Sequence, residues 1–163
     1  MSGGATEDGA LLVYMSADSA PPFQHEVHAQ LYEATGAGGA VVGLGGGCGG
    51  GGAASAVGSF AVGSTDFAFL LTGAAGGTTG VAYLALGGTG APISCGPCTV
   101  TLPIVTLGAP LTYGGARLDV PVPCVQSLIS GAVEAQWWVV APSGCTLAPD
   151  LSFSNRLQAT VGE

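Results

Sequence analysis

Short runs in which apolar and polar residues alternate recur along the chain from residue 57 to its end. In 98–104, for example, Val100, Leu102 and Ile104 alternate with threonines. Alternation with period two is typical of strands that bury one face. Strands are therefore predicted at 58–63, 67–72, 80–87, 98–106, 115–122, 132–140 and 156–161. Many short strands at this spacing predict an all-β fold, an antiparallel β-sandwich of jelly-roll or immunoglobulin-like type with glycine-rich loops.

Turn residues separate these segments, among them the glycine- and proline-containing stretch 108–115. A helix is an alternative to strand only over 125–134, where Gly131 and β-branched neighbours disfavour it.

The first third of the chain shows a different organisation. Residues 10–15 form an apolar run and 25–32 alternate, which predicts two strands of an antiparallel hairpin. A low-complexity segment follows over 36–56, with a glycine run on both sides of a cysteine. We place a domain boundary near residue 45. Residues 1–45 are predicted to be a hairpin extension that packs on its own module or on a neighbouring copy, and 46–163 to be the sandwich domain.

The composition excludes several functions. The chain has 163 residues, of which 30 are glycine and 7% are charged, with a net charge of −8. Its two cations are Arg117 and Arg156, too few to neutralise the phosphates of a nucleic acid or the headgroups of anionic lipid. No uninterrupted window of 18 apolar residues occurs, so membrane insertion is not expected.

The five cysteines are predicted to form disulfides, which favours an oxidising compartment and an extracellular or cell-surface location. The start of the chain lacks a basic and an apolar signal region, so we expect a mature or trimmed form. A hairpin centred near residues 111–112 would place Cys98 opposite Cys124, the first expected pair. Cys95–Cys145 is the second, and Cys48 is expected to be spare.

Two other cysteine chemistries are alternatives. Cys95-Gly-Pro-Cys98 matches the sequence of the thioredoxin active site, whose chemistry requires the first cysteine at a helix N-terminus. Here the motif is followed by residues that favour strands and by Pro103, which would break a helix. A four-thiolate zinc site would combine these two cysteines with Cys124 and Cys145, although the latter pair does not form a second knuckle. We expect neither a metal nor a cofactor.

The aromatic residues provide the candidate ligand-binding side chains. Trp137 and Trp138 are adjacent on a predicted strand, so one ring should enter the core and the other face outward. An exposed Trp, with Tyr113 or Tyr83, could stack on a sugar ring. His25 and His28 should point to opposite faces of a strand and therefore not share a metal.

The carboxylates Asp8, Asp18, Asp66, Asp119, Glu134 and Asp150 are scattered along the sequence. Arg156 is expected to pair with Asp150 at the surface.

Four segments of the chain resemble the C-terminal β-rich module of secreted surface proteins of planctomycetes and myxobacteria. They are APISCGPCTVTLP, LTYGGARLDVPVPC, SLISGAVEAQWWVV and LSFSNRLQATVGE. The earlier segment DGALLVYMSADSAPPFQHEVHAQLYEATG is similar to a repeat of a surface-exposed β-propeller. The resemblance implies an extracellular location and a β-rich fold, and it carries no catalytic residues.

The leading functional expectation is a non-enzymatic extracellular structural or adhesive protein. So few charges leave much of the exterior apolar, which suits a subunit covered by its neighbours. The expected partners are copies of itself, as an oligomer or filament, or other cell-surface proteins. The alternatives are a polysaccharide-binding module using Trp137, Trp138 or Tyr113, and a thiol oxidoreductase using Cys95 and Cys98.

Overall fold

The computed structural model describes residues 2–6, 9–17, 25–33, 38–75, 79–90 and 92–163, and it describes side chains from residue 38 onward, residue 79 excepted. The chain divides into two compact units. The smaller consists of Met1–Ala37 with Glu163, and the larger of Gly38–Gly162. No helix within the described ranges is long and apolar enough to cross a membrane.

The smaller unit contains an antiparallel sheet in the order β1-β2-β3, formed by Ser2–Thr6, Gly9–Ala17 and His25–Glu33. The register pairs Leu11 with Leu31 and Val13 with Ala29, so the apolar positions of the two longer strands coincide. The hairpin predicted at 10–15 and 25–32 is confirmed.

The larger unit is nearly all β. Its strands are β4 Ala40–Gly45, β5 Ala53–Val57, β6 Ala68–Thr72, β7 Thr79–Gly87, β8 Ile93–Cys95, β9 Cys98–Val100, β10 Val105–Thr112, β11 Ala116–Asp119, β12 Ala132–Val140, β13 Leu151–Phe153 and β14 Arg156–Thr160. A six-stranded sheet has the order β10-β7-β12-β14-β4, with β13 also paired to β12, and a three-stranded sheet has the order β11-β6-β5. The hairpin β8–β9 forms a separate two-stranded sheet.

The hydrophobic core lies between the six-stranded and three-stranded sheets. Phe67 and Phe69 pack edge to face with ring centroids 4.9 Å apart, and Leu84, Trp137 and Val139 belong to the same buried cluster. Because every second residue of each strand points inward, alternation in sequence becomes burial of one face. The larger unit is thus an all-β antiparallel sandwich, as predicted.

Several predicted boundaries are wrong in detail. Residues 58–63 are not a strand: Gly58 and Gly63 adopt positive φ angles of 79° and 81°, and the chain turns. The predicted strand 98–106 is interrupted between β9 and β10. The predicted turn 108–115 lies largely within β10, since pairing with β7 overrides its local turn signals. The segment 125–134 contains one 3₁₀ turn, Gln126–Leu128.

The boundary between the units also differs from the prediction. Strand β4 pairs with β14 and so belongs to the sandwich, which moves the division from residue 45 to the bond between Ala37 and Gly38.

The glycine run between β4 and β5 is packed against the rest of the sandwich. A Cβ on Gly51 would collide with the backbone of Phe153, and one on Gly47 would lie 2.6 Å from the backbone nitrogen of Asn155. Glycine is required here because two backbones approach each other closely. The run therefore holds Cys48 against the end of β13, where Cys48 and Phe153 form a β-bridge.

Candidate functional site

The six-stranded sheet has a second face, opposite the core, which we call the outer face. The β8–β9 hairpin packs on part of it, and a second apolar cluster forms there around Trp138, Phe153 and Val100. The rings of Trp138 and Phe153 meet edge to face with centroids 5.7 Å apart.

Two disulfides attach the hairpin to the rest of the sandwich. Cys95 bonds to Cys145 and Cys98 bonds to Cys48, each across 50 residues of sequence. The predicted pair Cys95–Cys145 is confirmed. The predicted pair Cys98–Cys124 is wrong, and so is the assignment of Cys48 as spare: Cys124 is the free, exposed thiol.

The error in pairing has a topological cause. The prediction treated the strands on either side of residues 111–112 as one hairpin. Instead β10 pairs with β7 in the larger sheet and β11 pairs with β6 in the smaller one, so the chain crosses between sheets at this turn.

The Cys-Gly-Pro-Cys motif is a two-residue β-turn. Cys95 and Cys98 face each other across β8 and β9, and Gly96 takes a φ of 59°. Each cysteine is bonded to a distant cysteine, and a strand follows the motif, so the geometry differs from a redox motif at a helix N-terminus. The same disulfides contradict the alternative of a four-thiolate zinc site. Intramolecular disulfides are typical of an oxidising environment.

The structure separates the candidate aromatic residues. Trp137 is fully buried in the core, and Trp138 is half-buried on the outer face, as alternation predicted. Tyr113 is 92% exposed at the tip of the β10–β11 turn with a φ of 50°. Tyr83 is 39% exposed and is the register partner of Trp138 on β12, so these are the two candidate aromatic residues that lie side by side on the outer face.

A buried hydrogen-bond network holds the segment after β9 on the outer face. The fully buried Gln136 accepts a hydrogen bond of 2.9 Å from the backbone N–H of Thr101. Its amide nitrogen donates to the backbone carbonyls of Thr99 and Ser154, both at 2.9 Å. One side chain therefore joins three separate segments, using both of its N–H donors and one of the two lone pairs of its oxygen.

An ion pair lies next to this network. Arg156 donates to Glu134 at 3.1 Å, and the Thr101 hydroxyl donates to the same carboxylate oxygen at 3.2 Å. Both charged side chains are nearly buried, with 11% and 7% exposed. The prediction that Arg156 pairs with Asp150 is wrong. Glu134 and Gln136 alternate with core residues along β12, and the sequence analysis did not identify either of them as buried.

The strand beside β12 is interrupted at Ser154 and Asn155. The Ser154 hydroxyl accepts a hydrogen bond from the backbone N–H of Trp137 at 2.9 Å. Asn155 reaches the opposite sheet, where its amide accepts from the N–H of Ala54 at 2.7 Å and donates to the carbonyl of Ala54 at 3.1 Å. The interruption thus links the two layers by polar bonds, a role that the sequence did not reveal.

The scattered carboxylates do not converge. Asp66 accepts a hydrogen bond of 2.6 Å from the Ser64 hydroxyl, which lowers the pKa of its carboxyl below the ordinary value. Asp119 pairs with Arg117 at the surface at 2.7 Å.

In the part of the chain that the structure describes, no three His, Cys, Asp or Glu side chains form a metal-binding group. Asp8 and Asp18 lie outside the described residues, and the backbone places His25 and His28 in β3.

The two edge strands of the six-stranded sheet carry no charged residue. Strand β4, with the sequence AVVGLG, exposes Val41 by 37% and Val42 by 56%. Strand β10 exposes Val105 and Leu107 but contains Pro110, which has no N–H to donate. Proteins usually protect sheet edges with charges, prolines or bulges. Among the described strands, β4 is paired on one side and has neither charge nor proline. Its one irregularity is a register shift at its end, where Gly43 and Gly45 pair with the consecutive residues Leu157 and Arg156.

Comparison of the chain with protein-family models, curated proteins and solved structures gives no match.

Proposed function

We propose that this chain is a non-enzymatic extracellular structural or adhesive protein whose copies assemble through the edges of their six-stranded sheets. The observation that carries the proposal is the uncharged, apolar edge strand β4. An extended edge of this kind offers free backbone N–H and C=O groups to another strand.

The exposed side chains of β4 support the same proposal. Val41 and Val42 are consecutive and therefore lie on opposite faces of the sheet, yet both are exposed. A strand added alongside β4 would cover part of both side chains. Pairing of β4 with β4 gives a closed two-fold dimer, whereas pairing of β4 with β10 is head to tail and gives a ring if the rotation closes or a filament if it does not.

The scarcity of charge on the exterior fits a subunit that is covered by its neighbours. Large apolar side chains are exposed at many positions besides the edges, including Ile104 at 84% and Leu147 at 74%. The disulfides support an oxidising environment, and we assign the protein to the extracellular or cell-surface space on that basis.

A lysine substitution at the edge tests this function. Val42→Lys places a charge on β4, and like charges on paired strands destabilise the pair. We expect the midpoint concentration for association to rise by about tenfold or more, since 1.4 kcal/mol corresponds to that factor. Light scattering coupled to size-exclusion chromatography measures the association, and negative-stain microscopy distinguishes dimers from filaments.

Val125→Lys is the matched control. Val125 is 46% exposed and lies outside the strands, so the same chemical change there should leave association unaltered. A wild-type chain that stays monomeric at millimolar concentration would refute the proposal. Equal effects of the two lysines would refute the role of the edge.

A second candidate function is polysaccharide binding on the outer face. It is favoured by the register pairing of the half-exposed Tyr83 with Trp138, because adjacent aromatic rings can stack on sugars. Tyr83→Ala should abolish binding on a glycan array, and Tyr113→Ala, at the remote turn, should not. An array without hits for the wild-type chain would dismiss this candidate.

A further inference from the structure

A small apolar cavity lies where the β8–β9 hairpin meets the outer face. Its volume is about 100 Å³. The hairpin contributes Ile93 and Val100, and β12 and β13 contribute Trp138, Leu151 and Phe153. The loop after β12 closes the remaining side. Leu147 on this loop is 74% exposed while it lines the cavity, so the cavity opens to solvent beside it.

Covalent and polar bonds join the segments that form the walls of this cavity. The Cys95–Cys145 disulfide crosses from the hairpin to the loop, and both of its cysteines line the cavity. The network around Gln136 fixes the backbone on either side of Val100. A cavity whose wall segments are joined in this way is formed before a ligand arrives, and binding then costs little in ordering the protein.

The chemistry of the lining defines the ligand. The side chains around the cavity are aliphatic, aromatic or disulfide sulfur, and the indole N–H of Trp138 is buried, so a ligand in the cavity finds no accessible hydrogen-bond partner. Apolar cavities of roughly this size accept a single small ring. We propose that the cavity is a binding site for a monocyclic aromatic molecule, which contacts the Trp138 ring and is held by apolar contacts alone. This site is independent of the assembly proposed above.

Toluene titrated into the full oxidised chain is the probe. We expect a saturable change in tryptophan fluorescence, together with intermolecular nuclear Overhauser effects from toluene to the Trp138 ring and the methyl groups of Val100 and Leu151. These contacts locate the ligand in the wild-type protein without any substitution. A linear, non-saturating response, or Overhauser contacts confined to residues outside the cavity, would overturn the proposal.

Two cavity-filling variants provide the second arm. Ala148→Leu and Leu151→Phe both enlarge half-buried lining residues, and each should remove saturable toluene binding. Val125→Leu, which enlarges an exposed residue elsewhere, should bind toluene like the wild type. Near-ultraviolet circular dichroism and intact mass check that the fold and both disulfides are retained. If either cavity-filling variant folds correctly and still binds toluene like the wild type, the cavity is not the binding site. The Val42→Lys variant should bind toluene normally, which keeps this test separate from that of assembly.

Discussion

Replacement of Gln136 by methionine tests the buried network that holds the outer face together. Methionine keeps the length of the side chain but removes its hydrogen bonds. Three backbone groups lose a partner: the N–H of Thr101 and the carbonyls of Thr99 and Ser154. An unpaired buried polar group costs about 1–3 kcal/mol. Taking about 1 kcal/mol for each, we expect the free energy of unfolding to fall by about 3 kcal/mol.

The loss is large relative to the stability of a domain, which is about 5–15 kcal/mol. For a chain of this size it corresponds to a fall in Tm of about 6–12 °C. Guanidinium unfolding under non-reducing conditions, followed by tryptophan fluorescence, measures the change with both disulfides intact. Gln158→Met is the control, since Gln158 is half-buried on the adjacent strand and lies opposite Glu134 in the register.

We expect Gln158→Met to cost less than about 1 kcal/mol, because no hydrogen bond of the Gln158 side chain is found among the described residues. If Gln136→Met is as stable as this control, the three backbone groups find other partners and the reasoning fails. A mutant that also loses toluene binding would show that the network positions the cavity wall.

The remaining predictions concern the cysteines and one carboxyl. The double variant Cys95→Ser with Cys145→Ser should lose about 4 kcal/mol of stability, because it opens a loop of 50 residues; an unchanged denaturation midpoint would contradict this. Iodoacetamide should label the native chain at Cys124 alone, and reduction should be needed for further labelling by mass. Ser64→Ala should raise the pKa of Asp66 toward its ordinary value in an NMR titration. Because the pKa is lowered in the folded state, the Ser64 hydrogen bond stabilises the fold above the ordinary pKa of Asp66, and this stabilisation is lost as the pH falls through the folded pKa. If Asp66 titrates identically in Ser64→Ala and the wild type, the hydroxyl is not the cause of the lowered pKa.

The sequence predicts the strands well where burial is one-sided and local. The segment 115–122 alternates because one face meets the core, and strand β11 lies within it. Prediction from sequence fails where pairing with a distant strand overrides the local preference of residues for turns. Gly108 and Pro110 are turn formers, yet they lie within β10 because β7 provides a partner along its whole length.

The candidate site was harder to predict than the fold. Glu134 and Gln136 occupy outward positions of β12, and the sequence gives no sign that the β8–β9 hairpin covers them. Cys48 and Cys98 bond to each other because the backbone at Gly47 and Gly51 approaches the end of β13 closely. Such contacts between distant segments leave no periodic pattern in the sequence. The presence of disulfides followed from the number and placement of the cysteines, whereas their connectivity depended on the tertiary fold.

The attachment of both disulfides to one hairpin determines how the molecule would come apart. Protease cleavage in the exposed loops 88–90 and 102–104 would give three fragments. The first carries Cys48, the last carries Cys145, and the small middle one carries both of their partners. The middle fragment then serves as a covalent bridge between the outer two. A fully nicked molecule would migrate as a single species without reductant and separate into three pieces once the bridge is reduced.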